Sequence, residues 1–241
     1  MIRFLALKIL SIFDFYYQKK LFSFLKGRGY KKFDVLFDIG AHHGESIKRF
    51  LNNFKIKNIY SFEASDKNFS ILEKNLIYFK KRFNDTNIII ENYAVGDEKK
   101  TIKMKQMNES SSSTINSYNI KSKYFKRKSM FLFSSKKQNF FSEIDVRQIL
   151  LSQYITTHDI KKIDFIKIDT EGYEFYVLKG LKNQFQKIKL ILFEHHYHSM
   201  LLKNYKFGDI HNFLIKNNFK QIYKYKMAFR KTFEYIYELQ E

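Results

Sequence analysis

A chain of 241 residues is long enough for one well-buried domain with appendages, and 44% hydrophobic with 18% aromatic residues excludes general disorder. It contains no cysteine, which excludes disulfides, thiolate metal sites and cysteine nucleophiles, and it contains no proline or tryptophan. A net charge of +20 suits nucleic acid, anionic lipid or acidic glycan, but lysines scattered through nearly every segment read first as a solvated surface. The abundance of Lys, Asn, Ile, Phe and Tyr points to an AT-rich bacterial genome.

In chain order, residues 1–30 form a hydrophobic segment in which Arg3, Lys8, Ser11, Asp14 and Gln18 recur every three to five residues. That spacing lays a narrow polar stripe along an amphipathic helical arm. No apolar run approaches the ~20 residues of a membrane span, and no small-residue cleavage site follows. The arm either packs on the domain, the favoured reading, or lies in a membrane surface. Gly27 and Gly29 mark the boundary with a main domain over 31–241.

From there strands and helices alternate. Val35–Ile39 reads as a buried strand, Glu45–Phe54 as a helix and Ile59–Phe62 as a strand. Lys67–Phe79 is an amphipathic helix with Phe69, Leu72, Leu76 and Phe79 on one face, and Ile88–Val95 is a third strand. Thr101–Met107 and the region near Ile149–Ile155 read as further β segments, with the serine tract Glu109–Thr114 as a loop between them. The basic, aromatic run Lys121–Lys137 lies in a variable solvent-facing insertion over about 118–142. Ile163–Asp169 is a strand, Glu174–Leu181 a helix, Ile188–His196 a strand and Phe207–Asn217 a helix, and the tail suggests a closing hairpin. This alternation predicts an α/β fold, a mostly parallel sheet with helices on both faces, and the hairpin adds an antiparallel edge strand.

In such sheets ligands bind beyond the carboxyl ends of the strands, where strand order reverses. Asp38 with Gly40, Glu63, Asn92, Asp169 with Glu171, and Glu194 with His195 and His196 all fall at those ends. One strand-end carboxylate is usually a cap or turn residue, but several in succession mark a site. Read as a dinucleotide fingerprint from Gly40, the first turn has His42 at the second glycine position and Glu45 at the third. A histidine obstructs the approach of backbone to a pyrophosphate, and a glutamate repels phosphate from the helix N-terminus. A cofactor without phosphates and with a cationic end fits better, and S-adenosylmethionine is such a molecule. Glu63 is placed for both ribose hydroxyls, Asp38 for the ammonium end, and Asn92 or Asp97 for the adenine.

The ordered motifs "FDIGAHHGES", "YSFEASDKNFSILEKN", "NYAVGD", the serine tract and "IDFIKIDTEGYEFYVLKG…ILFEHH" resemble those of the FkbM family of methyltransferases, over roughly Val35 to His198. The resemblance implies a class I (Rossmann-like) methyltransferase fold with a seven-stranded sheet, and S-adenosylmethionine as cofactor. By motif it implies Asp38, Gly40, Ala41, His42, Gly44, Glu45, Glu63, Asn92, Ala94, Asp97 and Asp169 as cofactor-binding. His42 stands where the family usually has asparagine, and Ala64 where it usually has proline. Family members are taken to methylate hydroxyls of sugars or natural products, so the expected acceptor is a small molecule or glycan, a sugar of a bacterial surface glycan or its precursor.

Methyl transfer needs the acceptor oxygen in line with the sulfonium methyl at about 3 Å, and a base to take its proton. His195 and Asp169 are the candidates preferred, with His196 beside them; alternation along a strand keeps the two histidines from facing the pocket together. No metal is assigned, because Glu194, His195, His196 and His198 show no diagnostic ligand spacing. Glu171 is expected to order the turn before the helix, with Gly172 relieving its backbone strain. The expected location is cytoplasmic, with peripheral contact at the inner membrane face. Two rivals stay open: an RNA ribose methyltransferase, with nucleic acid the less expected partner, and an inactive S-adenosylmethionine-binding protein. The sequence leaves the oligomeric state open.

Overall fold

The computed structural model describes residues 16, 18–108, 112–132 and 140–240. Residues 18–27 form helix α1, and the rest of the expected N-terminal arm lies outside the described residues. The chain continues through β1 (Lys32–Ile39), α2 (Glu45–Leu51), β2 (Lys55–Phe62), α3 (Asp66–Arg82), β3 (Asn87–Glu91), β4 (Ala94–Val95) and β5 (Lys100–Met107). Next come β6 (Ser117–Tyr118), α4 (Lys123–Leu132), β7 (Phe141–Ile149), α5 (Leu151–Thr157), β8 (Ile163–Ile168) and α6 (Glu174–Lys179). The last elements are β9 (Ile188–His196), β10 (Leu201–Leu202), α7 (Phe207–Lys216), β11 (Phe219–Lys226) and β12 (Thr232–Leu239).

Seven strands form the central sheet in the order β11-β12-β9-β8-β1-β2-β3. The pairs from β3 to β9 are parallel, and β12 runs antiparallel between β9 and β11. The closing hairpin therefore supplies the antiparallel margin by insertion, with β12 one strand in from the edge. Strand order reverses between β1 and β8, which opens the ligand crevice there.

Each face of the sheet has its own apolar layer. Leu21, Phe22 and Leu25 of α1, Ile47 and Phe50 of α2, and Leu72 and Phe79 of α3 pack with Leu36, Phe165, Leu190 and Ile236. On the opposite face Leu151 and Ile155 of α5, Val177 and Leu178 of α6, and Ile210 and Leu214 of α7 cover Phe37, Ile166, Ile191, Phe193 and Tyr235. The i, i+7 spacing of Leu72 and Phe79 puts both on the buried stripe of α3. Ser65 caps that helix, its hydroxyl accepting from the Asn68 backbone N–H at 3.3 Å.

Three sequence readings change. The segment Ile88–Val95 is two strands: β3 stops at Glu91, and β4 leaves to join a second sheet in the order β4-β7-β5. The region Ile149–Ile155 is the end of β7 followed by α5, because Leu151, Tyr154 and Ile155 bury at helical spacing. The basic insertion contains β6, α4 and the start of β7; its residues 133–139 lie outside the described residues. Among the described residues no helix is long and apolar enough to cross a membrane.

Candidate active site

The carboxyl ends of β1, β2 and β8 frame a cleft whose lining includes Gly40, His42, Glu63, Ala94, Asp169 and Glu171. Its apolar wall is Ile39, Phe62, Ala64, Val95 and Met104, and Tyr93 and Tyr173 add aromatic faces. Gly40 stands at φ +83°, and a Cβ there would lie 1.9 Å from the Asp169 carbonyl oxygen. Only glycine lets β1 and β8 approach this closely beneath the cleft.

Glu63 is 7% exposed. Its Oε2 accepts from the His42 backbone N–H at 2.8 Å, and its Oε1 accepts from the Ser65 N–H at 3.0 Å and the Asn68 amide at 3.4 Å. Burial pushes its carboxyl above the usual range, and these donors pull against that. A carboxylate offers about four acceptor positions, so capacity remains toward the cleft. Asn92 stands one step back: its amide donates to the Glu63 carbonyl at 3.1 Å, so it positions Glu63. Asp97 lies near Tyr173 and raises its hydroxyl pKa after burial has done so, but does not line the cleft.

His42 occupies the left-handed region at φ 51°, unusual for a side-chain-bearing residue. Its Nδ1 meets Glu45 Oε1 at 3.2 Å. Burial lowers the His42 imidazole but Glu45 outweighs it, for a net rise, and the same contact overcomes burial to take Glu45 down to about 2. The carboxylate of Glu45 thus occupies the N-terminus of α2, the place a phosphate would need. Ala41 is buried and Gly44, at φ +90°, leads into α2.

Asp38 is placed differently from its expected role. It is 1% exposed and lies outside the cleft lining, accepting from Ser46 Oγ at 2.5 Å and pairing with Lys167 Nζ at 3.2 Å. Lys167 also meets Asp169 Oδ2 at 3.4 Å and donates to the Gly40 carbonyl at 3.4 Å. Burial alone would lower this ammonium, but Asp38, Asp169 and Glu194 reverse the effect and hold it well above its ordinary value. Sequence reasoning passed over Lys167, although a cation near the carboxyl end of the apolar run Ile163–Ile168, two residues before Asp169, was a usable signal.

The register separates the two strand-end histidines. Glu194 pairs with Glu234 and His196 with Thr232, on the face that carries Asp38 and Lys167; His195 pairs with Phe233 on the other face. His195 packs on Tyr197, Tyr205 and Phe207, is 3% exposed, and is not brought together with Asp169 at the cleft. Burial, then Lys203, take its imidazole down to about 3. His196 instead turns Nε2 to Glu171 at 3.5 Å and Nδ1 to Thr232 Oγ1 at 3.0 Å. Burial, Asp169 and Glu171 push the neighbouring Glu194 carboxyl well above its ordinary value.

The turn after β8 is ordered by Glu174 rather than Glu171. Its Oε1 accepts from the N–H of Gly172 at 2.8 Å and of Thr170 at 3.3 Å, and its Oε2 accepts from Tyr205 at 2.8 Å. Gly172 has φ +94°, and Glu171 is held at φ 49°, a second left-handed side-chain-bearing residue at the cleft. Two segments read as surface loops also reach the site. Thr114, from the end of the serine tract, donates to the Glu171 carbonyl at 2.6 Å, while Glu109–Ser111 lie outside the described residues. Tyr124 of α4 stacks on His198 at 4.2 Å, and His198 lies 5.0 Å from His196.

The arrangement provides an apolar slot, a pinned carboxylate at one end and a carboxylate group at the other. It resists phosphate and accepts hydroxyls and cations. The model of the methyltransferase FkbM domain matches residues 38–225. Among solved structures, the methyltransferase FkbM from Methylobacillus flagellatus KT aligns with a TM-score of 0.55 at 15% identity, over 85% of this chain and 43% of that chain. The chain thus spans less than half of that protein. Magnesium protoporphyrin IX methyltransferase from Synechocystis PCC 6803, solved with S-adenosylmethionine bound, aligns with a TM-score of 0.50 at 8% identity, over 98% of this chain and 82% of that chain. These likenesses show the class I methyltransferase fold. No protein of curated function matches the sequence.

Proposed function

The chain belongs to the FkbM family of methyltransferases, and from that membership we propose that it takes S-adenosylmethionine as methyl donor and methylates a hydroxyl of a sugar, in a bacterial surface glycan or its precursor. The observation that carries the donor half is Glu63: a carboxylate pinned by two backbone N–H groups at the end of β2, facing an apolar slot. Its one remaining acceptor position suits a ribose hydroxyl, and Ile39, Phe62, Val95 and Met104 suit an adenine ring. The bound donor supplies an electrophilic methyl on a sulfonium. The chain's own part is to hold donor and acceptor in line and to take one proton.

Asp169 and Glu171 are the carboxylates proposed to meet the acceptor, since both line the cleft on the side away from Glu63. Lys167 holds Asp169, and His196 holds Glu171. A hydroxyl held there would give its proton to one of these carboxylates as it takes the methyl group that the bound donor would supply. Cytoplasmic action near the inner membrane face belongs to the same proposal, supported by the net charge of +20.

Calorimetry with S-adenosylhomocysteine tests the donor site. Glu63→Ala should weaken binding about thirtyfold, the value of one hydrogen bond to a charged group; tight binding that ignores this substitution would sink the ribose assignment. For the acceptor, mass spectrometry of surface glycans should show a methyl group lost when the protein is removed, and lost again with Asp169→Asn. The same net charge supports one rival, ribose methylation of RNA. A steeply salt-dependent RNA affinity together with unchanged glycans would put RNA in the acceptor's place.

A further inference from the structure

The loop that joins β11 to β12, residues 227–231, turns at the carboxyl edge of the sheet, since β12 opens with Thr232 opposite His196 of β9. Phe229 stands in this loop at φ 60°, in the left-handed region that suits glycine or asparagine, and it is 75% exposed. A bulky side chain held there meets backbone strain and gains little burial, so packing of the fold does not account for it. Lys226 and Lys231, on either side of the tip, are exposed as well.

Other apolar side chains are exposed on the same edge. Tyr197, whose backbone N–H donates to the Lys231 carbonyl at 2.7 Å, is 47% exposed. Leu202 is 53% exposed, and its neighbour Leu201 reaches the Gly172 position, where a Cβ would lie 3.0 Å from it. Ile120, also 53% exposed, follows Asn119, whose N–H donates to the Met200 carbonyl at 2.7 Å. Exposed Lys121 and Lys123 stand next to it in the chain. Single exposed apolar residues are ordinary, but a group of them among cations at the mouth of a cleft marks an interaction surface.

We propose that the β11–β12 tip and the β10 segment dock the chain on an anionic phospholipid surface, with the cleft edge toward the membrane. Apolar side chains enter the boundary between headgroups and acyl chains while lysines stay with the anionic headgroups, the two parts of peripheral binding. A second copy of the chain is a poor occupant, since each copy carries a net charge of +20. A nucleic acid would stack on the aromatic rings but gains nothing comparable from Leu202 and Ile120, which acyl chains can bury. The inference deepens the inner-face reading above and rests on it for the choice of membrane; lipid binding itself assumes nothing about methyl transfer.

The chain has no tryptophan, so Phe229→Trp carries a sole indole reporter. With full-length protein and vesicles of equal phosphatidylcholine and phosphatidylglycerol, its emission should shift to the blue and be quenched by brominated acyl chains. Vesicles of phosphatidylcholine alone should do neither. Ile77→Trp is the control, because Ile77 is 74% exposed in the later half of α3, which runs back from the cleft edge; its emission should stay that of an indole in water. In vesicle sedimentation Phe229→Ser should weaken binding about tenfold. Lys226→Gln with Lys231→Gln should weaken it about twentyfold, at about fivefold for each cation near the surface. Both variants should melt as wild type does and bind S-adenosylhomocysteine equally. An unshifted Phe229→Trp emission, equal quenching of the two tryptophan variants, or sedimentation indifferent to both sets of substitutions overturns the proposal; the last result would give lipid binding to another part of the chain. RNA affinity lost with Phe229→Ser, without vesicle binding, would overturn it in favour of a nucleic acid at the tip. Failure of wild type to bind S-adenosylhomocysteine would count against the cofactor reading and leave the vesicle result standing.

Discussion

On the β1–β2 side of the cleft, one stretch from Asp38 to Asn68 supplies nearly everything, and backbone N–H groups hold the key carboxylate. On the β8–β9 side, Asp169 pairs with Lys167 of its own strand, but Glu171, its turn and His196 depend on side chains from segments far apart: Thr114 on the Glu171 carbonyl, Tyr205 on Glu174, Thr232 on His196 and, through His198, Tyr124. Backbone donors keep their place whatever the neighbouring side chains become. A side-chain network is only as good as each partner. One half of the cleft is therefore suited to an invariant ligand, the methyl donor, and the other to an acceptor that can differ as its distant segments differ.

Lys167 is where the two halves join, and breaking it should produce the largest effect. It pairs with Asp38 beneath the first motif and with Asp169 at the acceptor edge. Lys167→Met keeps the bulk and leaves Asp38 buried at 1% exposure without its counter-charge. Removing one partner of a buried pair costs about 3–5 kcal/mol. For a chain of this size the melting temperature should fall by about 2–4 °C per kcal/mol. The double variant Asp38→Asn with Lys167→Met should recover part of the loss, because no charge is then stranded. Equal melting of wild type and the single variant would show that the halves are not joined here.

This contrast also decides what the sequence disclosed. The apolar segment ending at Ile39, the turn after it and Glu63 some twenty residues on were readable because a contiguous stretch carries them. Strand alternation likewise announced the parallel sheet. The faces of β9 were not readable, since nothing in "FEHH" says which histidine faces Lys167 until the pairing of Lys167 with Leu192 fixes the register. Asp38 was read as a ligand group because its position at a strand end was visible, while its partners Ser46 and Lys167 were not. Val95 was misassigned because hydrophobic continuity from Ile88 hid the break at Asn92–Tyr93, where the chain leaves one sheet for another. The Tyr124–His198 contact pairs an apparent insertion with a strand end, and no local pattern encodes that.

A pH series on His195 sharpens the comparison between the two faces of β9. Burial, and then Lys203, take this imidazole from 6.5 to about 3; His196 and His198 add smaller effects, and Tyr197, Tyr205 and Phe207 surround it. The folded state thus binds fewer protons at this site than the unfolded state between those values. Its contribution to stability is intact above pH 6.5 and is lost as pH falls toward 3, with a limiting slope of about 1.4 kcal/mol per pH unit. His195→Gln removes the titration, so wild type should lose melting temperature faster than the variant on acidification below pH 6.5. Parallel curves would mean that His195 is open to solvent and not sealed under α7.

The smallest effect expected is at the turn that presents Glu171. The Tyr205 hydroxyl lies 2.8 Å from both Glu174 Oε2 and the Gly172 carbonyl, and Glu174 is completely buried. Tyr205→Phe keeps the ring against Phe175 and removes only the hydroxyl, leaving a buried carboxylate oxygen short of a donor. That costs about 1–3 kcal/mol. The backbone bonds from Gly172 and Thr170 to the other oxygen remain, so the turn should loosen without unfolding. If the β1–β2 side is self-sufficient, Tyr205→Phe lowers the melting temperature while S-adenosylhomocysteine affinity holds, and methylation of the acceptor falls. A matching loss of S-adenosylhomocysteine affinity would instead make the two sides of the cleft one cooperative unit, with the donor pocket depending on a tyrosine more than a hundred residues from its own motif.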